Sequence, residues 1–367
     1  MAVTPFPGDV GVSIVCHNNR DQLVSALTSL DAAGCPRAAV RVVDVASTDG
    51  TVEWLGREFP DIAVRTLDRN DGPSPGRNVG IRECPFRFVF LMDADVQVQA
   101  ETIQRLRQAM AADSAIKIGS PIVVHAGAPD RIQYAGGSLH FICEAINPWL
   151  DRPLAERGDA PQDIGVAPTC GLLLDRQAAI DVGLFDERYF IGKEDGDFTH
   201  RVRLAGYRIL ELPSALVLHQ SRPRGTWLFY YQIRNRWHFM LKNYQWRTLL
   251  LILPCLMVHE PLQALVLHAK GHARVYWKSV GGLIALLPSL RADRAVAGSI
   301  RVVPDAALLR ADHLIVRDDL AAHTLVRLGK NAYEGALRGY WSFLQRTAFA
   351  GARRTVNPRA HVQPPAS

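Results

Sequence analysis

The sequence has few of the features that mark several common protein classes. Its six cysteines are scattered and include no C-x-x-C pair, so we expect reduced thiols in a cytoplasmic protein, without a disulfide framework or zinc site. The first nine residues show no basic segment followed by an apolar core, and we therefore expect no secretory signal. No internal repeat or low-complexity segment is visible.

Long apolar runs are missing as well. A helix that crosses a bilayer needs roughly 18 or more apolar residues, and no run here reaches that length. The most apolar segment, residues 248–258, contains Pro254 and is followed by His259, Glu260 and Pro261, and a second patch covers 280–287. We expect the helices of this region to lie in a membrane interface without crossing it. An ordinary buried helical subdomain is the alternative.

Charge is divided unevenly along the 367 residues, whose formal net charge is +6. Residues 1–221 hold 21 Lys and Arg against 29 Asp and Glu, whereas residues 222–367 hold 21 against 7. An acidic front and a basic rear indicate different partners for the two parts. Because aromatic residues interleave with the basic ones, the rear suits an anionic membrane surface at least as well as nucleic acid, and we expect no nucleic-acid partner.

Strand-like and helix-like segments alternate through the first hundred residues. This β-α-β-α order favours right-handed crossovers and a parallel sheet. The predicted strands cover residues 10–16, 40–45, 62–67, 87–92, 116–124, 169–174, 207–212 and 215–219. The predicted helices cover residues 21–33, about 48–60 with Ser47 or Thr48 as its cap, 78–83, 102–111, 194–205 and 227–244.

The apolar run of residues 88–92 ends in two carboxylates, Asp93 and Asp95. Such a run is typical of a strand buried on both faces of a parallel sheet, and ligands of these sheets bind beyond the carboxyl ends of the strands. If the chain stays extended, both carboxylates point to the same side. Two oxygen ligands there favour a divalent cation and a phosphate-bearing substrate, although a solvated turn is the alternative.

Further polar clusters follow other predicted strands, and their order and spacing resemble those of the inverting family 2 glycosyltransferases, rhamnosyltransferase-like bacterial members included. The resemblance covers roughly residues 10–243. The motifs that carry it are VSIVCHN (12–18), VVDVASTDGT (42–51), GRNVG (76–80), LMDAD (91–95), VGLFDERYF (182–190), EDGDF (194–198) and RLAGYR (203–208).

The resemblance implies an α/β fold of the GT-A type, a Rossmann-like mixed sheet flanked by helices. Residues 1–221 would form the catalytic domain, with nucleotide-sugar binding in about 10–100 and the acceptor and catalytic half in about 101–221. Residues 222–350 would be a basic, amphipathic, membrane-associating helical region, and 351–367 a flexible tail. The protein would lie in the cytoplasm, peripheral on the inner face of the membrane.

The implied reaction moves a sugar from a UDP-, dTDP- or GDP-sugar to a hydroxyl of a lipid-linked or oligosaccharide acceptor, in the synthesis of a bacterial surface polysaccharide or glycoconjugate. The oligomeric state stays open. Two features depart from the family pattern: Val45 replaces an Asn, and prolines 73 and 75 stiffen the loop before the GRNVG motif. The residues implied in donor binding are His17, Asn18, Asp44, Asp49, Arg77, Asn78 and Asp93.

The resemblance also assigns the metal site. Asp95 would bind Mn²⁺ or Mg²⁺ directly, and Asp93 would contact the ribose or a metal-bound water. His219, at the end of a predicted strand, would complete the coordination shell, and a mixed carboxylate–imidazole set favours Mn²⁺. A capped or buried ring is the alternative for His219.

Glu194 and Asp195 begin a predicted helix, where the helix dipole alone favours carboxylates. Asp197 lies four residues before Arg201 and is expected to pair with it, whereas Asp195 has no such partner. The resemblance assigns Asp195 as the general base that takes a proton from the acceptor hydroxyl during inversion. Glu194 would position the acceptor.

The basic rear begins with Arg234, Asn235, Arg236 and Lys242. We hypothesise that these residues hold the pyrophosphate of a lipid-linked acceptor, and the alternative is a solvated basic helix face. Two other functions are weaker. A dinucleotide-dependent oxidoreductase needs G-x-G-x-x-G after the first strand, where this chain has CHNNR (16–20). A non-catalytic, membrane-associated GT-A-fold protein has no need of the retained acidic residues.

Overall fold

A computed structural model describes residues 5–221, 224–314 and 324–351, so the predicted flexible tail lies almost wholly outside the described residues. The strands are β1 (Val10–Cys16), β2 (Val40–Val45), β3 (Ala63–Leu67), β4 (Phe88–Asp93), β5 (Val96–Val98), β6 (Ile116–His125), β7 (Ala128–Tyr134), β8 (Ser138–His140), β9 (Ala145–Ile146), β10 (Gln162–Asp163), β11 (Gly171–Asp175), β12 (Arg208–His219) and β13 (Leu309–Arg310).

The helices alternate with the strands at first, and after β12 the described residues are mainly helical, with β13 as a short strand. The helices are α1 (Arg20–Ala32), α2 (Thr51–Glu58), α3 (Pro73–Glu83), α4 (Thr102–Ala112), α5 (Arg176–Asp181), α6 (Glu194–Leu204), α7 (Leu228–Asn243), α8 (Trp246–Ala269), α9 (Ala273–Leu286), α10 (Leu290–Ser299), α11 (Asp305–Leu308) and α12 (Thr324–Arg346).

The central sheet is mixed, with the strand order β10-β12-β6-β11-β4-β1-β2-β3. Strands β3, β2, β1 and β4 run parallel, as the β-α-β-α pattern predicts. Strand β11 is antiparallel to both β4 and β6, and β12 is parallel to β6. The carboxyl ends of β1, β2, β4 and β12 therefore meet at one edge, together with the beginning of β11. The predicted α/β sheet is confirmed.

Helices cover both faces of the sheet because alternate residues of its strands point in opposite directions. Phe88, Phe90 and Met92 of β4 pack in one apolar cluster with residues of α1 and α4. Val89 and Leu91 pack in a second cluster on the opposite face, with residues of α3, α5 and α6. Burial on both faces explains why the β4 sequence is continuously apolar.

Prolines account for two differences between prediction and structure. Pro73 and Pro75 form the first turn of α3 and do not stiffen a loop, because a proline at the first helical position loses no intrahelical hydrogen bond. The residues around Pro213 do not separate two strands. They belong to β12, which pairs with β6 on either side of a register shift between Leu212 and Leu216.

Helix α8 corrects the prediction that no segment is long enough to span a bilayer. It runs through Pro254 and Pro261 for 24 residues, and an 18-residue stretch of it has a mean hydropathy of 1.8, enough by length and composition to cross a membrane. Packing offsets the lost backbone bonds, since Leu249, Ile252 and Leu256 lie in a cluster with residues of α12. One such helix does not by itself establish a membrane span.

Helix α7 is anchored in the catalytic half by buried charges. Lys242 Nζ lies 2.8 Å from Asp186 and 3.0 Å from Asp197, and all three side chains are at most 5% exposed. Asp197 also pairs with Arg201 at 2.9 Å, as the i, i+4 spacing predicts. Helix α7 therefore shares a buried cluster of charged residues with α6, although the predicted domain boundary at residue 221 lies between these two helices.

The same burial contradicts the hypothesis that the basic start of the rear holds a lipid pyrophosphate. Arg236 is 1% exposed, donates to the Ile142 carbonyl and pairs with Glu260 of α8. Asn235 donates to two backbone carbonyls, and Arg234 donates to the Arg188 carbonyl. With Lys242 also paired, these side chains hold the fold together, because a buried charge needs a partner.

Candidate active site

A cleft of about 540 Å³ opens at the edge of the sheet where the carboxyl ends of the parallel strands meet. This volume lies within the range usual for small-molecule sites. Its lining combines apolar side chains, acids and a few other polar groups: Val15, His17, Asn19, Val45, Asn70, Gly72, Pro73, Arg77, Asp93, Ala94, Asp95, Val123, Gln133, Tyr134, Pro168, Cys170, Phe190, Ile191, Glu194, Asp195, His219, Arg224 and Trp227.

Arg77 joins two parts of the predicted site that are far apart in the sequence. Its guanidinium donates to both carboxylate oxygens of Asp93, at 2.9 and 3.1 Å, and to Oδ1 of Asp195 at 3.1 Å. Glu194 lies 3.8 Å away. Burial opposes the charge on Arg77, but these carboxylates outweigh it and hold the pKa of the guanidinium above its usual range. The strand end and the α6 N-terminus thus face one cleft.

Glu194 and Asp195 begin α6 but differ in exposure. The side chain of Asp195 is 32% exposed, whereas that of Glu194 is 8% exposed. Burial, and then the charge of Asp195, raise the pKa of Glu194 to about 8, while Arg77 opposes this shift. Of the two acids, Asp195 is the one that an incoming molecule reaches, and the Thr169 hydroxyl donates to its Oδ1.

The raised pKa of Glu194 predicts a pH-dependent stability. The unfolded residue loses its proton near pH 4.5 and the folded one near 8. The folded state is therefore stabilised fully by protonated Glu194 below pH 4.5, and this stabilisation is lost as the pH rises through 8. We expect Glu194→Gln to raise Tm by roughly 3 °C or more at pH 9, with a smaller gain at pH 5. Thermal unfolding at both values tests this, with exposed Glu58→Gln as control; an equal shift at both pH values contradicts it.

Asp95 and His219 form a pair suited to a divalent cation. The chain turns after β4 at Ala94 and Asp95, so the extended geometry assumed for Asp93 and Asp95 is not found. Asp95 Oδ1 lies 3.5 Å from His219 Nε2, is buried and has no hydrogen-bond donor among the described residues. His219 Nδ1 lies 2.8 Å from Gln133 Oε1, which can only accept, so Nε2 is the nitrogen that faces Asp95 and would bind a cation there.

Asp95 and His219 suit a cation whose remaining ligands are phosphate oxygens and water. Within the described residues there is no cluster of three or more His, Cys, Asp or Glu side chains able to hold a metal. Mg²⁺ and similar cations are commonly bound by one or two protein groups together with phosphates and water. The site therefore offers Asp95 and His219, while Asp93, predicted to share the metal, has both oxygens bonded to Arg77.

The loops that follow β1 and β2 hold each other in place. Asn18 Oδ1 accepts from the Thr48 backbone N–H at 2.7 Å, and Asp49 accepts from the Arg20 backbone N–H at 3.2 Å. Neither Asn18 nor Asp49 lines the cleft, and both join the two loops to each other. Asp49, and not the predicted Ser47 or Thr48, accepts from the first N–H of α2.

Of the two remaining residues expected to bind the donor at this wall, His17 lines the cleft and Asp44 does not. His17 Nδ1 donates to the Val45 carbonyl at 2.6 Å. Asp44 is 1% exposed; one carboxylate oxygen accepts from the Ser47 N–H, and the other is buried with no partner among the described residues. A buried acceptor without a donor is costly, and this one lies just behind the wall formed by Val45.

Asn78, expected to bind the donor, lies outside the cleft lining and is 1% exposed. Its amide exchanges hydrogen bonds of 2.9 Å with the backbone of Phe185 and donates to Glu187 at 2.7 Å. The side chain thus fastens α3 to the segment that leads to α6. The position of Asn78 in its motif does not by itself show whether the side chain binds a ligand or holds α3 against this segment.

Sequence reasoning missed several polar neighbours of the site. Thr169 and Gln133 orient Asp195 and His219, and Tyr134 lines the cleft while its hydroxyl donates to the Val166 carbonyl. They lie in the region between β6 and β11, whose pattern is irregular. Of these residues, only Thr169 had a signal, because it begins a predicted strand, and the structure places that strand next to β4.

Residues 12–177 match the model of the family described as glycosyl transferase family 2. N-acetylglucosaminyl-diphospho-decaprenol L-rhamnosyltransferase of Mycobacterium tuberculosis (strain ATCC 25618 / H37Rv) is 27% identical over 231 residues, which cover 57% of this chain and 75% of that protein. dTDP-rhamnosyl transferase RfbF of Shigella flexneri is 24% identical over 248 residues, which cover 63% of this chain and 79% of that protein.

Solved structures show the same fold at low identity. GalNAc-T7, solved with UDP, GalNAc and Mn²⁺, gives a TM-score of 0.53 at 17% identity, over 65% of this chain and 48% of that one. S. aureus TarS 1–349 in complex with UDP-GlcNAc gives 0.51 at 18% identity, over 80% and 89%. Residues 12–177 therefore form a glycosyl transferase family 2 domain on a GT-A-like fold.

Proposed function

We propose that the protein is a metal-dependent, inverting glycosyltransferase. It transfers a hexosyl or deoxyhexosyl group from a nucleotide sugar to a hydroxyl of a lipid-linked glycan in bacterial surface polysaccharide synthesis. The observation that carries the proposal is the convergence of Asp195, Asp93, Asp95 and His219 on one cleft, with Arg77 bonded to two of them. The names of the two rhamnosyltransferase relatives support a deoxyhexose donor and, for one, a diphospho-lipid acceptor.

In this proposal the donor nucleotide lies against the ends of β1 and β2. Val15, His17, Val45 and Asn70 line that wall, and the unpartnered oxygen of Asp44 lies behind it. A carboxylate can accept from a pyrimidine N–H or a ribose hydroxyl, and Asp44 would do so once the wall at Val45 gives way to the nucleotide. Asp93, held by Arg77, presents its charge between the nucleotide and the sugar.

Asp95 and His219 would hold Mn²⁺ or Mg²⁺ at the diphosphate. Bound there, the cation supplies Lewis-acid neutralisation of the negative charge on the departing nucleoside diphosphate. Gln133 keeps the His219 ring in the tautomer that leaves Nε2 free as a ligand.

Asp195 acts as the general base. Its exposed carboxylate takes the proton of the acceptor hydroxyl while that oxygen attacks the anomeric carbon from the side opposite the diphosphate, so one displacement inverts the centre. Arg77 and Thr169 hold Oδ1 and leave Oδ2 for the acceptor. Glu194, buried behind it, positions the base and the hydroxyl.

A thermal-shift panel of UDP, dTDP and GDP, each with and without Mn²⁺, tests the donor and metal parts. Binding stabilises the folded state by mass action, by about 2.7 kcal/mol at a hundredfold excess over Kd. We expect one nucleotide to raise Tm clearly more than the others, and only with Mn²⁺. Asp95→Ala should remove the metal-dependent part. A wild-type protein that responds to none of the three contradicts the proposed function.

The membrane part of the proposal has its support in the helices that follow α7. Leu250, Met257 and Leu265 on α8 and Trp277 and Ile284 on α9 are all at least 60% exposed. An apolar surface of this kind on a chain with a basic C-terminal part suits an anionic lipid interface. Glu260 of α8 is paired with Arg236 of α7, which favours a helix lying on the membrane.

Vesicle flotation tests the membrane part. We expect the protein to float with phosphatidylglycerol-containing vesicles, less with neutral ones, and Leu265→Glu to weaken flotation severalfold because it places a charge among exposed apolar residues. Val24→Glu, at an exposed position of α1, is the matched control and should float like the wild type. Equal flotation with anionic and neutral vesicles would contradict a role for the basic C-terminal part in membrane binding.

A further inference from the structure

An exposed tryptophan lies in the cleft where the family motifs place none. Trp227 is 48% exposed and lines the same cavity as Glu194 and Asp195. We propose that Trp227, supported by Tyr231 and Phe190, is a stacking platform for a pyranose ring of the acceptor. This inference rests on the proposed function and adds the acceptor subsite to it.

The three aromatic side chains form a continuous ladder. The centroids of Trp227 and Tyr231 lie 6.0 Å apart in an edge arrangement, and Tyr231 stacks on Phe190 at 5.2 Å with an interplanar angle of 24°. The Arg234 guanidinium lies 5.1 Å from the Tyr231 ring and donates to the Arg188 carbonyl at 2.7 Å. The Trp227 indole is thus supported from the protein side, and part of its surface remains open.

The ladder is fixed relative to the proposed base. Phe190 and Ile191 precede α6 by a few residues, and Asn235 of α7 donates to the carbonyls of Ile191 and Gly192. On the donor side, Gly72 has a φ of +89°, and a Cβ there would overlap the Phe190 carbonyl oxygen. The segment between Phe190 and Asp195 is therefore held from both sides, which gives the platform and the base a constant separation.

The chemistry of a pyranose matches this wall. The faces of the ring carry C–H groups and its rim carries hydroxyls, so an indole takes a face while nearby carboxylates take the rim. Asp195 is the exposed carboxylate of this wall, and Arg224 adds a donor at the cleft. The nucleotide wall of Val15, His17 and Val45 belongs to other elements, at the ends of β1 and β2.

The test measures release of nucleoside diphosphate from the nucleotide sugar that the panel selects, with Mn²⁺, against octyl glycosides of hexoses and N-acetylhexosamines below their micelle concentration. We expect Trp227→Ala to raise the acceptor KM about tenfold and to change the Kd of the nucleoside diphosphate less than twofold. Trp227→Phe should recover most of the affinity because it keeps an aromatic face. Trp246→Ala, an exposed tryptophan outside the cleft lining, should match the wild type.

The outcomes separate this inference from the proposed function. An increase in nucleotide Kd with an unchanged acceptor KM would place Trp227 on the donor side and overturn the platform. Unchanged values of both would also overturn it. A wild-type enzyme that releases nucleoside diphosphate without acceleration by any octyl glycoside rejects the platform and leaves the donor part standing. A protein that binds no nucleotide rejects the proposed function itself.

Discussion

Asp195→Asn is expected to lower the kcat of sugar transfer by about a thousandfold, because an amide accepts no proton from the acceptor hydroxyl and general-base catalysis contributes roughly 10²–10⁴. The substitution keeps the shape of the side chain, and Oδ1 still accepts from Arg77. The Kd of the nucleoside diphosphate with Mn²⁺ should therefore change little. Steady-state release of nucleoside diphosphate, with binding measured by titration, separates the two quantities.

Asp159→Asn, at an exposed position outside the cleft lining, is the control for this variant and should retain wild-type turnover. Loss of nucleotide binding together with turnover in Asp195→Asn would mean that the carboxylate supports the donor site. Turnover within threefold of the wild type would remove Asp195 from the reaction. Either result would leave the fold and family unchanged.

Lys242→Met is expected to lower the free energy of unfolding by about 3–5 kcal/mol and Tm by roughly 10 °C. Lys242 lies between Asp186 and Asp197, and removing it leaves two buried carboxylates without their shared cation. Burial alone would raise the pKa of Asp186, but Lys242 and Arg188 hold it well below its usual range. The effect is measured by chemical denaturation at neutral pH.

Two variants make the Lys242 result interpretable. Lys278→Met replaces an exposed lysine on α9 and should stay within about 0.5 kcal/mol of the wild type. Adding Asp186→Asn to Lys242→Met removes one of the two carboxylates that have lost Lys242, and it should restore part of the lost stability. A loss below about 1 kcal/mol in the single variant would show that α7 is not held through this pair.

Local signals in the sequence were enough to predict the front of the fold. The bounds of β1 and β2 agree with the prediction, because each is a short apolar run next to glycine or polar turn residues. Because ligands bind beyond the carboxyl ends of parallel strands, the sequence predicted that Asp93 and Asp95 lie at the edge of the sheet where the cleft opens. These inferences depend on neighbours within a few residues, which a single sequence contains.

Contacts between distant segments decided the rest. Arg77 and Asp195 are 118 positions apart, and no local pattern predicts that one guanidinium joins Asp93 to Asp195. Helix α8 continues through Pro254 because it packs against α12, which follows it by more than fifty residues. Basic residues of α7 looked like a solvated or ligand-binding face until their buried partners on α6 and α8 were known.

The most direct test of a single metal-and-base cleft is a crystal structure with the preferred nucleoside diphosphate and Mn²⁺, with the metal located by its anomalous signal. We expect Mn²⁺ bound by Asp95 Oδ1 and His219 Nε2, with the diphosphate beside it and the Asp195 carboxylate facing the same space. A metal bound away from Asp95, or a nucleotide in any other part of the molecule, would contradict this account.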